Sequence, residues 1–109
     1  MCDFRIIIKA PTGYVAQCSF CRSLEIAFRT SIVHIDFHHW YGFNNYIARA
    51  RRSYGVPVDR DLKGIMLHFG GDGPLQMFLS ANELKELYDL TERADNEIKA
   101  QNLFALFNN

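Results

Sequence analysis

Cys18 and Cys21, three positions apart, with Cys2 far ahead of them, are the residues of this chain with the clearest chemical potential. Within Cys18-Ser19-Phe20-Cys21 a tight turn would bring both sulfurs to one side, which is half of a tetrahedral zinc site. The N-terminal segment supplies a third sulfur. If Pro11-Thr12-Gly13 reverses the chain, residue numbers paired across the hairpin sum to 23 or 24, and Cys2 falls opposite residue 21 or 22. Three sulfurs would then converge from one hairpin. A histidine would complete the tetrahedron, with His34 and His68 on strands and His38 and His39 at a helix start as the choices. We assign Cys2, Cys18, Cys21 and His34 as the candidate ligand set and zinc as the candidate cofactor.

Two other readings stay open for the same thiols. Free cysteine is among the most buried residue types, so the three sulfurs can serve as small apolar groups at a sheet edge. They can also form a redox pair of Cys18 and Cys21, which would want a helix N-terminus beside it to lower the thiol pKa. A strand-like segment follows Cys21 instead. Elsewhere the chemistry is sparse. His38 and His39 are neighbours that point about 100° apart on an α-helix, so they read as a polar first turn and not as a ligand pair. Gly70-Gly71-Asp72-Gly73-Pro74 lacks the Lys and Ser/Thr of a phosphate-binding loop and reads as a hairpin connection. No Ser–His–Asp, paired-carboxylate or dinucleotide-binding pattern occurs, which favours a non-enzymatic protein.

The elements that must position the thiols follow from periodicity. Phe4–Ala10 alternates, with Phe4, Ile6 and Ile8 on one side, and Tyr14–Cys18 returns as its hairpin partner. The rest of the chain repeats a pattern. Leu24–Phe28, a short loop, Ile32–Ile35 and a helix are followed by Ile65–Phe69, a longer loop, Leu75–Leu79 and a second helix. Placing Asp36 on Ser80 also puts Trp40 on Leu84, Phe43 on Leu87, Arg49 on Arg93 and Ala50 on Ala94 without a gap. Asp36 is the expected cap of the first helix, which carries Trp40, Phe43, Asn44, Ile47 and Ala50 on one face. Ser80 and Glu83 spell a capping box for the second, with Leu84, Leu87, Tyr88, Thr91, Ala94 and Ile98 as its stripe and an end near Asn102. The expected architecture is α+β: a mainly antiparallel sheet of about six strands with two helices on one face, built from tandem strand–strand–helix units after an N-terminal hairpin.

At 109 residues the chain has the length of a single domain, with 1–22 the thiol hairpin, 24–52 and 63–102 the repeated units, and 103–109 an apolar tail. Hydrophobic residues at 49% exclude disorder as the starting expectation. The tail, Leu103-Phe104-Ala105-Leu106-Phe107, must fold back on the sheet or enter a subunit interface, and with the aromatic content it favours a homodimer. Formal net charge is zero, so no overall basic footprint exists for nucleic acid. The charge is uneven: residues 49–63 carry a net +3 and residues 83–97 a net −4. Arg49, Arg51, Arg52 and Arg60 therefore keep a nucleic-acid-binding module as a further alternative. No secretory signal and no apolar run near the roughly 20 residues of a membrane span is visible, and an odd number of cysteines suits a reducing compartment. The expected location is the cytoplasm. No small-molecule ligand is indicated.

The segment CSFCRSLEIAFRTSIVHIDFHHWYGFNNYI resembles a group of short bacterial proteins that open Met-Cys and carry C-x-x-C near residue 20. The resemblance covers about the first half of the chain, and Cys2, Cys18 and Cys21 are the residues that correspond. It implies a stand-alone domain and no particular activity. From the sequence we therefore expect a small cytoplasmic binding or interaction domain with a zinc candidate at its N-terminal hairpin, and a thiol redox protein or a nucleic-acid-binding module as the alternatives.

Overall fold

A computed structural model describes residues 2–53, 61, 63–69 and 75–107. Among these the chain forms six strands and two long helices in the order β1 (Phe4–Ala10), β2 (Gly13–Cys18), β3 (Leu24–Phe28), β4 (Ser31–Ile35), α1 (Trp40–Ser53), β5 (Ile65–Phe69), β6 (Leu75–Leu79) and α2 (Ala81–Phe107). Every pairing is antiparallel, as expected for the α+β class. The strands divide into a four-stranded meander, β1-β2-β3-β4, and a separate two-stranded hairpin, β5-β6.

The strands obey period-two alternation where they meet the core. Leu24, Ile26 and Phe28 of β3, Val33 and Ile35 of β4, and Ile65, Leu67 and Phe69 of β5 are all buried. Successive side chains of a strand leave on opposite faces, so these residues line one face of each sheet. They join Trp40, Ile47 and Ala50 of α1 and Leu84, Leu87, Leu90, Ala94 and Ile98 of α2 in one continuous cluster. The core thus draws on both repeated units. Corresponding positions play matching parts: Val33 and Met77, Ile35 and Leu79, Trp40 and Leu84, and Ala50 and Ala94 are buried in both copies.

A polar clamp fixes the two helices. Trp40 Nε1 donates to Asp95 Oδ1 at 3.0 Å, and Lys99 Nζ lies 2.8 Å from Asp95 Oδ2. Asp95 is buried, and both of its oxygens are thereby occupied, which is what makes a buried carboxylate tolerable. A second set of charges fastens the β3–β4 turn to the start of α2. Arg29, in the left-handed region at φ 53°, pairs with Glu86 and lies 3.4 Å from Glu83, which also pairs with Lys63.

Three sequence expectations change. The first concerns β1. Near the turn the paired numbers sum to 23, as in Lys9↔Tyr14, but a bulge between Ile6 and Ile8 shifts the register so that Phe4 faces Cys18. An extra residue on one strand moves the alternation to the other face. Phe4 and Ile6 consequently lie on the outer face, with Ile6 exposed, while Ile7, Ile8 and Ala10 pack on the core.

The second concerns the start of α1. Asp36 makes no side-chain capping bond; it opens a 3-10 turn, Phe37–His39, and the α-helix begins at Trp40. Ser80 does form the expected box. Glu83 N donates to Ser80 Oγ at 3.2 Å, and Ser80 N donates to Glu83 Oε1 at 2.9 Å. The repeat therefore holds for strands and core but not for the helix starts.

The third concerns the tail. Leu103–Phe107 neither folds back nor stops near Asn102; it extends α2 by more than a turn, with Leu103, Phe104, Leu106 and Phe107 all exposed. The glycine loop, residues 70–74, and Arg60 lie outside the described residues.

Candidate metal centre

The N-terminal hairpin delivers its thiols through three local features. Cys18 ends β2 and stays paired: its amide donates to Ser23 O at 2.9 Å, and its carbonyl accepts from Arg22 N at 3.0 Å. Those bonds close residues 18–23 into a knuckle. Arg22 takes φ 64°, the left-handed turn that lets β3 depart directly after Cys21. Across the hairpin, Ser19 N donates to Asp3 O at 3.0 Å, which holds the chain beside Cys2 against the knuckle.

The result is a cluster. The sulfurs of Cys2, Cys18 and Cys21 all lie within 4.8 Å of one another, with Cys2 Sγ and Cys21 Sγ 3.8 Å apart. Cys18 is buried, whereas Cys2 and Cys21 are exposed. All three are free thiols. Three ligands at these separations can each reach a shared ion at the roughly 2.3 Å of a zinc–sulfur bond with only small side-chain rotations.

Electrostatics single out Cys18. Its sulfur accepts from the amides of Asp3 and Phe20, each at 3.4 Å. The Cys21 amide is the strongest influence. Together these N–H groups outweigh burial and lower the Cys18 thiol from 9.0 to about 6. Amides aimed at a sulfur favour its thiolate, the form that binds metal. Cys2 moves the other way, to about 11, because its thiol is hydrogen-bonded to Cys18 and then to Cys21. The thiolate form is thus favoured at Cys18 and the protonated form at Cys2. A divalent cation arriving in the cluster would displace the Cys2 proton.

The two shifts give the metal-free protein a signed pH dependence. A lowered thiol stabilises the fold fully above its unfolded value and loses that effect as pH falls to its folded value. Cys18 therefore adds stability between about 6 and 9.0 as pH rises. A raised thiol does the opposite, so Cys2 removes stability between 9.0 and about 11. With chelator and reductant present, the urea midpoint of the native chain minus that of a Cys2→Ser/Cys18→Ser variant should widen from pH 6 toward 9 and narrow beyond it. A difference that is flat with pH would contradict the shifts.

His34, the fourth residue of the sequence-based set, is not brought into the cluster. By register it shares the outer face of the meander with Cys18 and Phe4. Its Nε2 lies 2.8 Å from Glu25 Oε1, and its ring packs 5.8 Å from that of Phe4. Glu25 also accepts from Tyr14 Oη at 2.7 Å. The bond to His34, then that to Tyr14, holds the Glu25 carboxyl below its usual range. His68 sits on β5 with its Nδ1 3.2 Å from Gln76 Nε2, again away from the thiols. Among the described residues no further His, Cys, Asp or Glu joins the three sulfurs.

For a redox pair the structure agrees with the strand-like segment expected after Cys21. Thiol hydrogen bonding is shared among the three sulfurs, with Cys2 Sγ 3.8 Å from Cys21 Sγ, and is not confined to a Cys18–Cys21 pair. Cys21 lies in a turn that feeds β3, with no helix beginning beside it. Arg49, Arg51 and Arg52 occupy the C-terminal part of α1, where cations complement the helix dipole.

One cluster escaped the sequence reading. Asp36, His38 and His39 bring a carboxylate oxygen and two imidazole nitrogens within 4.8 Å of one another, all exposed. Adjacent histidines diverge by about 100° only in an α-helix, whereas His38 and His39 lie in a 3-10 turn that Asp36 precedes. The signal that could have found them is Asp-x-His-His placed between a strand end and a buried tryptophan.

No helix among the described residues is long and apolar enough to cross a membrane. No family model, curated protein or solved structure matches the chain. The three close cysteines, which could hold a metal ion, are thus the strongest chemical feature the fold presents.

Proposed function

We propose that this chain is a non-enzymatic cytoplasmic interaction domain whose N-terminal hairpin is locked by zinc bound to Cys2, Cys18 and Cys21. The observation that carries the reading is the convergence of three sulfurs with backbone amides directed at one of them. A purely apolar role would explain a buried Cys18 but gives no reason for Cys2 and Cys21 to gather, exposed, around it. Thiolate ligands select zinc over the harder cations. Cys2 and Cys21 are exposed, so water or a group from a partner would supply a fourth ligand to a bound ion. Protein purified without chelator should carry about one equivalent of zinc, because structural zinc binds tightly at neutral pH. Less than about a tenth of an equivalent would end the reading.

For the partner, the exposed apolar end of α2 favours a second copy of this chain. Residues 103–107 carry four large exposed apolar side chains, Leu103, Phe104, Leu106 and Phe107, an apolar end of the kind that marks an interaction surface. The formal net charge of zero leaves no long-range repulsion between copies. Two such ends pairing across a two-fold axis would cover each other. Light scattering behind size exclusion should give a dimer at about 100 μM that becomes monomeric on Leu106→Glu/Phe107→Glu, since typical interface anchors cost about 2 kcal/mol or more each. A monomeric native chain at that concentration would refute the pairing.

A further inference from the structure

The turn between β4 and α1 presents three metal-binding side chains on a rigid mount, and neither the thiol cluster nor the apolar tail uses them. Its mount is fixed at both ends. Ile35, pairing with Leu24, is buried on one side, and Trp40 is buried and bonded to Asp95 on the other. Between them His39 N donates to Asp36 O at 2.9 Å, which closes the turn. Phe37 packs on the core, and the Arg22 guanidinium covers its ring at 3.9 Å. With residues 35, 37 and 40 turned inward, Asp36, His38 and His39 are left facing water.

The polar groups are then held close. The two imidazole rings stand 3.9 Å apart at 46°, and their nitrogens share a 4.8 Å neighbourhood with the Asp36 carboxylate. The carboxylate makes no capping bond to the turn, although that is the ordinary use of an aspartate at this position. Each of the other two exposed histidines has a polar side-chain partner instead, Glu25 for His34 and Gln76 for His68.

We infer that Asp36, His38 and His39 form an open divalent-metal site with two nitrogen ligands and one oxygen ligand, distinct from the thiol cluster. Imidazole with carboxylate suits zinc, nickel, cobalt or copper ions, in contrast to the sulfur set, which suits zinc. Three protein ligands on one exposed turn leave further positions to water, so the ion exchanges readily and is reachable by an outside ligand. The two candidate centres border the same end of the meander. Arg22, which directly follows Cys21, reaches over Phe37, which directly follows Asp36.

The test uses the full chain, already supplied with one equivalent of zinc, and zinc chloride alone as the probe. Ring nitrogen and carbon-bound proton resonances of all four histidines are followed by NMR as more zinc is added. His38 and His39 should shift together and saturate at about one further equivalent, at least about tenfold before His34 and His68 respond, because removing even a supporting group typically costs 10- to 100-fold in affinity. Asp36→Asn should weaken that response by a similar factor. The inference is overturned if His38 and His39 respond only at the concentrations that move His34 and His68, or if Asp36→Asn leaves their response unchanged. The readout is the imidazole, so it remains decisive even if the sulfurs hold no metal: compared with the metal-free chain, His38 and His39 would then shift ahead of His34 and His68 with the first equivalent and not the second. Because all three ligands are exposed, the native chain alone supplies the comparison should the variant misfold.

Discussion

Replacing Cys2 with Ser should lower the thermal midpoint by roughly 15 °C or more and release the bound zinc. A metal present at about 1,000 times its Kd stabilises the folded state by about 4 kcal/mol, and each kcal/mol shifts a domain of this size by about 4–8 °C. The exposed position makes the result diagnostic. Cys2 is on the surface, so as a mere structural residue its loss would stay within about 0.5 kcal/mol. Cys21→Ser, also exposed, should behave in the same way. Cys18→Ser adds a cost of its own, because Cys18 is buried and three amides lose their sulfur acceptor. A chelator should destabilise the native chain and leave all three variants unmoved. Small drops for Cys2→Ser and Cys21→Ser, beside a larger one for Cys18→Ser, would instead mark ordinary packing.

Gly13→Ala is expected to destabilise the fold by about 3 kcal/mol or more, as overpacking and backbone strain combine. Gly13 begins β2, where it pairs with Ala10 of β1 and with Phe28 of β3. A β-carbon there would sit 1.8 Å from the carbonyl oxygen of Ala27 and 2.8 Å from its carbon. Both are backbone atoms of a central strand, so no side-chain rotation relieves the clash. The β2–β3 ladder must open at this end, and Arg29 N, which donates to Thr12 O at 2.8 Å, would be pulled from its acceptor. The comparison is Gly42→Ala in α1, where an added β-carbon meets nothing within 4 Å and helix propensity favours alanine by about 1 kcal/mol. Urea unfolding of the two variants should move in opposite directions. Equal midpoints would mean that β2 and β3 pack more loosely than described.

Much of this architecture was legible in the sequence because burial is read through period. Leu24, Ile26 and Phe28 alternate, and Leu84, Leu87, Thr91, Ala94 and Ile98 recur at helical spacing; all are buried as that spacing requires. Ser80 and Glu83 announced a cap because both halves of the box are encoded three residues apart. Where the sequence reading failed, the cause was a local choice between two allowed geometries. Nothing in Phe4–Ala10 marks Ile7 as a bulge, since each residue there suits either face of a strand. Asp36 is as suited to capping as Ser80, yet its turn tightens to 3-10 geometry and presents the carboxylate to His38 and His39. The division of six strands into two sheets is a matter of which strands pair over long range, which no local pattern records. The thiol cluster was legible in outline, because a hairpin and a C-x-x-C constrain three sulfurs. His34 was not, because its partner Glu25 lies on a neighbouring strand and competes for the imidazole.

Scaffold and chemistry lie in different parts of the chain. The repeated units build the core, while the thiol knuckle and the β4–α1 turn both sit at the end of the meander where the two copies differ. Arg22 joins the regions there: its guanidinium covers Phe37 and its Nη2 donates to Asn102 of α2 at 2.7 Å. The large exposed apolar residues of α2 begin immediately after Asn102. A partner seated on that end of α2 would therefore lie next to the knuckle.

X-ray absorption at the zinc edge of the protein as purified tests the central claim most directly. The expected spectrum shows a shell of three sulfurs at about 2.3 Å and one nitrogen or oxygen at about 2.0–2.1 Å. A zinc-free sample, or a shell containing only nitrogen and oxygen, would contradict it.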